Sequence, residues 1–139
     1  MTYLLDTNVI SEPTKQKPNT GLLAWLAAAD EDSLFLSVVT ITELRYGIQR
    51  LAAGKRRQTL EDWLSNGLTP RFGPRILPID ATIADACGRL LARSSSLGRP
   101  IQPADAFIAA TAEVHDMTLV TRNSAHFQNA VKHILTPWT

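Results

Sequence analysis

A single cysteine, Cys87, is all the chain carries, so no internal disulfide can form and no thiolate cluster exists for zinc. Its simplest role is that of a small core residue. Long apolar runs are missing as well: the longest, Leu22 to Ala29, falls far short of the roughly 20 residues a spanning helix needs. No basic stretch precedes an apolar one at the start of the chain, and Asp6 interrupts the sole candidate, so a secretory signal is not expected and a cytoplasmic protein is. Repeats and low-complexity segments are absent. An excess of charge of one sign is absent too, because 14 Lys and Arg face 13 Asp and Glu for a net +1. Bulk charge therefore announces no nucleic-acid binder.

What is present is the composition of one folded domain spanning residues 1–139, with 45% hydrophobic and 19% charged residues. Charge is unevenly placed. Five basic residues and no acid lie between Arg45 and Arg57, and no carboxylate follows Asp116.

The organising stretch is the first one. Tyr3-Leu4-Leu5 has the apolarity of a buried strand, which breaks at Asp6-Thr7-Asn8. An acid at the carboxyl end of such a strand stands where open parallel α/β sheets bind ligands. Asp6 and Asn8 serve equally well as a helix cap or a turn. Ser11 to Asn19 reads as a loop, and Asn19 or Thr20 caps a helix through Ala29. Asp30-Glu31-Asp32 is expected as a solvated turn.

Leu34 to Val39 reads as a second buried strand, passing directly into a helix with Ile41, Leu44, Ile48 and Leu51 on one stripe. That spacing puts Glu43 in the first helical turn, again at a strand's carboxyl end. Thr40-x-x-Glu43 also matches a capping box, in which the glutamate serves only its own helix. Gly54 is expected to close this helix, with Lys55-Arg56-Arg57 opening another that ends near Gly67; the three cations form either a phosphate contact or a solvated face. Leu68 to Pro74 reads as a loop and Ile76 to Ile79 as an edge strand. Asp80 caps a helix that dissolves near Ser94, with Asp85 close to its start.

Pro103 suits the first position of a helix, placing Asp105 in the first turn of the nearly all-apolar Ala106 to Ala112. A carboxylate there is stabilised by about 0.3 to 1 kcal/mol through the helix dipole alone. Met117 to Thr121 makes another strand, broken by Arg122-Asn123-Ser124. His126 reads equally as a surface residue or a chemical one, and Val131, Ile134 and Leu135 form a small terminal strand.

Strands alternating with helices predict an α/β fold with a central, mainly parallel sheet covered on both sides. Asp6, Glu43 and the Thr121 to Asn123 segment then reach one edge, with Asp105 entering from the buried helix. Acids gathered there raise one another's pKa unless a cation intervenes, and oxygen ligands suit Mg2+ or Mn2+.

Four segments, Leu5-Asp6-Thr7-Asn8, Thr42-Glu43-Leu44-Arg45-Tyr46-Gly47, Pro103-Ala104-Asp105-Ala106-Phe107-Ile108-Ala109-Ala110 and Leu119-Val120-Thr121-Arg122-Asn123, stand in this order across the chain. Together they resemble the PIN-domain family, and within it the VapC-type toxin ribonucleases of toxin–antitoxin pairs, the FitB-like branch included. The resemblance implies a PIN-like three-layer sandwich and a metal-dependent endoribonuclease acting at Asp6, Glu43 and Asp105. Asp6 and Asp105 would hold Mg2+ or Mn2+, while Glu43 would orient a water or take its proton. It further implies an RNA substrate, a cognate VapB-like antitoxin and a homodimer. Thr7, Asn8, Thr121 and Asn123 would support the acids, and Arg122, Lys55, Arg56 and Arg57 would contact RNA phosphates. Family members often carry a fourth acid near the positions of Asn123 and His126, and its absence favours one firmly bound ion over two. Two other readings compete: a catalytically silent RNA- or antitoxin-binding PIN module, and a phospho-accepting receiver domain. A receiver would pair acids after its first strand and keep a lysine after its last, and neither is found.

Overall fold

Three consecutive apolar residues, Tyr3 to Leu5, point side chains to both faces of a strand, as suits a central strand of a sheet covered on both sides. The computed structural model describes residues 1–139 and places them there. Strand β1 (Tyr3–Leu5) lies between β2 (Leu34–Ser37) and β4 (Thr118–Val120), parallel to both. β3 (Ile76–Leu77) extends the sheet beyond β2, and β5 (Ile134–Leu135) extends it beyond β4. All pairs are parallel, and the order β3-β2-β1-β4-β5 reverses direction between β1 and β4. In open sheets, ligands bind at the carboxyl ends of the strands where the order reverses, here those of β1 and β4. A flavodoxin-like receiver has a different order, with its switch elsewhere.

Alternation along the strands separates two cores. Leu4 and Leu119 face a cluster formed by α6 (Ala81–Ser96), α7 (Pro103–Val114) and α8 (Ser124–Phe127), with Ile83, Cys87, Ile108 and Phe127 at its centre. Leu5, Val120, Leu34 and Leu36 face the opposite cluster, with α1 (Thr7–Ser11), α2 (Thr20–Ala28), α3 (Val38–Gln49), α4 (Lys55–Asp62) and α5 (Thr69–Phe72). The result is the three-layer sandwich. Cys87 is buried, and burial pushes its thiol pKa up. Trp25 and Trp63 pack against the second cluster, Trp25 edge-on to Tyr3 with ring centroids 5.2 Å apart.

Several boundaries differ from the sequence expectation, each for a local reason. Ser37, not Thr40, caps α3: its Oγ accepts the Val39 N–H at 3.1 Å, so Val38 and Val39 are helical despite their β-branched side chains. Gly54 opens α4 instead of closing α3. The helix begun at Lys55 runs past Gly67 through a π-helical turn, Trp63–Leu68, into α5. Pro70 follows directly after that π-helical turn. The Ser11 to Asn19 segment is shorter as a loop than expected, because α1 reaches Ser11 and a 3-10 turn covers Glu12–Thr14. Asp30 to Asp32 do turn the chain, but Glu31 is not merely solvated. It accepts Arg71 Nε at 2.7 Å, and Arg75 Nη1 bonds the Glu31 and Leu34 carbonyls at 2.6 and 2.7 Å.

Candidate active site

Asp6 ends β1 in an extended conformation and begins α1, so it serves both readings the sequence left open. Its Oδ1 accepts the Thr7 N–H at 2.7 Å as a helix cap, while its Oδ2 accepts Thr121 Oγ1 at 2.7 Å and Asn8 Nδ2 at 3.2 Å. Its own N–H donates to the Val120 carbonyl at 2.9 Å, tying the turn to β4. The side chain is nearly closed off, at 5% exposure. Burial pushes its pKa above the ordinary 3.8, against the hydrogen bonds from Thr121 and Thr7, the nearby His126 and the Asn8 amide, which pull it down.

Glu43 is not in the first turn of its helix. With α3 starting at Val38, it stands in the second turn, and Thr40 is an interior residue with no capping duty. Its Oε1 instead accepts the Thr7 hydroxyl at 2.6 Å, across from α1. Thr7 Oγ1 also lies 3.1 Å from Thr40 Oγ1. One hydroxyl has one proton, so with the Thr7 proton spent on the carboxylate, Thr40 donates in that second contact. The local capping motif is thereby replaced by a bond between distant segments.

Asp105 occupies the third position of α7, after Pro103, with its side chain 24% exposed. Burial raises its pKa from 3.8, and the charges of Asp6 and Glu43 raise it further; His126 opposes them. Asp6 and Glu43 are therefore each within electrostatic reach of Asp105. His126, for which the sequence left a surface and a chemical role equally open, is exposed, and its Nδ1 stands 3.7 Å from Asp105 Oδ2. Only the packing of α8 against α7 creates that proximity, and nothing in the local sequence signals it.

Thr121 connects the support. It is fully buried, donates to Asp6, and accepts the Asn123 N–H at 3.0 Å. Asn8 bridges similarly, donating to Asp6 and accepting the Arg122 N–H at 3.2 Å. Arg122 and Asn123 themselves are exposed. Of the basic trio, Arg56 donates to the Thr14 carbonyl at 2.9 Å, and Arg57 is held by Glu61 and Gln49 at 2.8 and 3.1 Å; Lys55 is exposed. Asp85 pairs with Arg89 on an exposed helix face. Sequence reasoning passed over Glu12, a buried carboxylate that accepts Lys15 Nζ and the Asn19 N–H, each at 2.9 Å. The Lys15 hydrogen bond pulls its pKa below 4.5 more than burial lifts it, and the charge of Arg122 adds to the pull.

No three Asp, Glu, His or Cys side chains are gathered tightly enough to cage an ion by themselves. Mg2+ does not ask for a cage: it is commonly bound by one or two carboxylates and keeps several waters. Asp6 and Asp105, oxygen donors of which the first raises the pKa of the second, fit that requirement, and a structural zinc site is excluded by the donor set.

Residues 3–132 match the family model of the PIN domain. The chain belongs to the PIN domain family. Within it the chain stands among the VapC- and FitB-type proteins. Over 135 residues, covering 97% of each chain, it is 42% identical to the plasmid stability protein StbB of Pseudomonas syringae pv. tomato. Toxin FitB of Neisseria gonorrhoeae is 38% identical over 97% of each chain. The VapC ribonuclease Y4jK of Sinorhizobium fredii is 38% identical over 97% of this chain and 96% of its own. The crystal structure of FitAcB from Neisseria gonorrhoeae superposes with a TM-score of 0.92 at 38% identity, covering 99% of each chain. The PIN fold anticipated from the four sequence segments is thus the fold found.

Proposed function

We propose that this PIN protein is the ribonuclease toxin of a type II toxin–antitoxin pair, an endonuclease that hydrolyses RNA phosphodiester bonds with a divalent metal ion, Mg2+ or Mn2+. The reading is supported by Asp6 at the carboxyl end of β1, by Glu43 bonded to the neighbouring Thr7 at 2.6 Å, and by Asp105 standing near enough for both charges to raise its pKa. Toxin FitB and the VapC ribonuclease, by their names, act in the same sense.

Asp6 and Asp105 are the residues that would hold the ion, leaving room for one rather than two because no carboxylate follows Asp116. When bound, such an ion supplies positive charge that polarises a phosphoryl oxygen and lowers the pKa of water at the site. Thr121, Thr7 and Asn8 fix the Asp6 carboxylate, so its orientation is set before any substrate arrives. Glu43 has one oxygen committed to Thr7, and its Oε2 takes no hydrogen bond from the protein. That oxygen is free to orient the attacking water and accept its proton. Arg122 and Lys55 are the side chains free to meet phosphates, while Arg56 and Arg57 would first have to leave their protein partners. Asn123 offers an exposed amide at the same edge.

The partners on this reading are RNA, a VapB-like antitoxin and a second copy of the chain, in the cytoplasm, with residues 1–139 acting as one domain. No helix is long and apolar enough to cross a membrane. The test is to map RNA ends after inducing the unaltered protein and its Glu43→Gln variant. Defined cuts that vanish with the variant support the reading, and cuts that persist unchanged overturn the role of Glu43.

A further inference from the structure

Away from the acids, two open cavities meet end to end along α6, α7 and α8. One, of about 590 Å3, is lined by Arg89, Arg93, Asn129 and Lys132 among others. The next, of about 240 Å3, shares Arg93 and Asn129 with it and continues to Arg99 and His126. Since His126 Nδ1 is 3.7 Å from Asp105 Oδ2, the shared groove opens at the edge of the acid site.

The lining is strongly one-signed in a chain whose overall charge is only +1. Four cations, Arg89, Arg93, Arg99 and Lys132, face one carboxylate, Glu113. Glu113 already accepts the Lys132 N–H at 2.7 Å. Arg93, Arg99 and Lys132 form no ion pair, and Arg89 is engaged only by Asp85 across an exposed surface, a pairing of little worth in water. Unpaired cations spaced along a groove repel one another, and a polyanion laid in it would relieve them while releasing its own counterions. No Phe, Tyr or Trp lines either cavity, so His126 at one end is the only ring on which a base could stack. Contacts of this kind position a backbone and read no sequence.

We propose that this groove, from Lys132 past Arg93 to Arg99 and His126, is the track that delivers the phosphodiester backbone of single-stranded RNA to the acid site. The proposal rests on the ribonuclease reading for the identity of the strand, and it adds four phosphate-contacting residues that lie outside the Arg122 and Lys55 set.

The test uses the full chain, a long single-stranded oligoribonucleotide, and the double variant Arg93→Glu/Arg99→Glu, with Lys17→Glu as an exposed-charge control elsewhere. Binding is followed by fluorescence anisotropy in EDTA over a salt series, and cleavage kinetics are measured separately with Mg2+. The double variant is expected to weaken RNA binding severalfold, to flatten the log–log salt slope by about 0.7 for each phosphate no longer neutralised, and to raise KM while kcat holds. Lys132→Glu is expected to act in the same direction, and thermal melts of all variants should coincide. If RNA is cleaved but neither KM nor the salt slope moves, the track is overturned and the nuclease reading stands. If RNA binds through these residues and is never cleaved, the track stands and the nuclease reading fails. If the double variant loses only its association with a protein partner, the groove belongs to that partner and the proposal is overturned.

Discussion

The Thr7 hydroxyl donates to Glu43 Oε1 at 2.6 Å, joining the helix after β1 to the helix after β2. This bond aims one acid of the site from a residue next to another. Hydrogen bonds to charged groups contribute about 1.5 to 3 kcal/mol. The Thr7→Val variant, which keeps the shape and drops the donor, should lower kcat for RNA cleavage by roughly tenfold or more, and the lost bond should also lower the melting temperature by several degrees. Steady-state kinetics beside a thermal melt checks both parts.

Thr121 plays the corresponding part for Asp6, from a fully buried position. Removing a group that orients a metal-binding carboxylate typically costs about 10- to 100-fold in metal affinity or activity. Thr121→Val should therefore weaken Mn2+ binding by about that factor, measured by calorimetric titration. Unchanged affinity would mean that the hydroxyl only fills a buried acceptor.

The pKa directions of Asp6 and Asp105 give a stability prediction. Both are raised above 3.8. For such an acid, the stabilising contribution is fully present below the unfolded-state value and is lost as pH rises through the folded-state value. In the metal-free protein Asp6 and Asp105 should thus contribute less stability as pH rises from about 3.9, where the folded state holds protons that the unfolded chain has released, while Glu12 and Glu31, whose pKa values are lowered, act in the opposite direction. Asp105→Asn removes one of these penalties, so in EDTA at neutral pH it should melt higher than the unaltered protein, by about 3 to 6 °C for each kcal/mol relieved. Below the unfolded-state value the two curves should converge. Differential scanning calorimetry across that range checks the sign.

Gly21 sets a purely structural expectation. A Cβ there would stand 2.8 Å from the Pro137 carbonyl oxygen and 2.4 Å from Thr139 Cγ2, so the terminal segment packs directly on the start of α2. That contact is reinforced by Asn19, whose amide donates to the Thr139 carbonyl at 2.9 Å and accepts its N–H at 3.1 Å. Gly21→Ala should destabilise the fold by about 1 to 3 kcal/mol, as overpacking does, visible as a lower urea midpoint. Deleting the last residues together with Gly21→Ala should cost less than the sum of the two changes.

The pattern of what could be read from the sequence follows from how local each cause is. Asp6, Asp80, Asn19 and Pro103 were legible because a strand end, a cap or a first-turn proline is decided by a few neighbouring residues. The start of α3 was not, because Val38 and Val39 favour a strand by themselves and one Ser37 hydroxyl decides against them. Glu43 was placed at the right end of the sheet, yet Thr40 looked like its partner. Its actual partner, Thr7, is 36 residues away and shows only when the sheet order is known. The same holds for His126 beside Asp105, and for the groove assembled from α6 and the segment after α8. Glu12 was missed because a buried acid held by a lysine three residues on looks, in sequence, like any surface pair.

Calorimetric titration of Mn2+ into the metal-stripped protein and its Asp6→Asn and Asp105→Asn variants, with RNA cleavage measured on the same samples, addresses the acid site directly. Each variant should keep its fold, bind the ion far more weakly and leave RNA uncut. Variants that bind Mn2+ and cut RNA as the unaltered protein does would contradict the assignment of these two carboxylates to the metal.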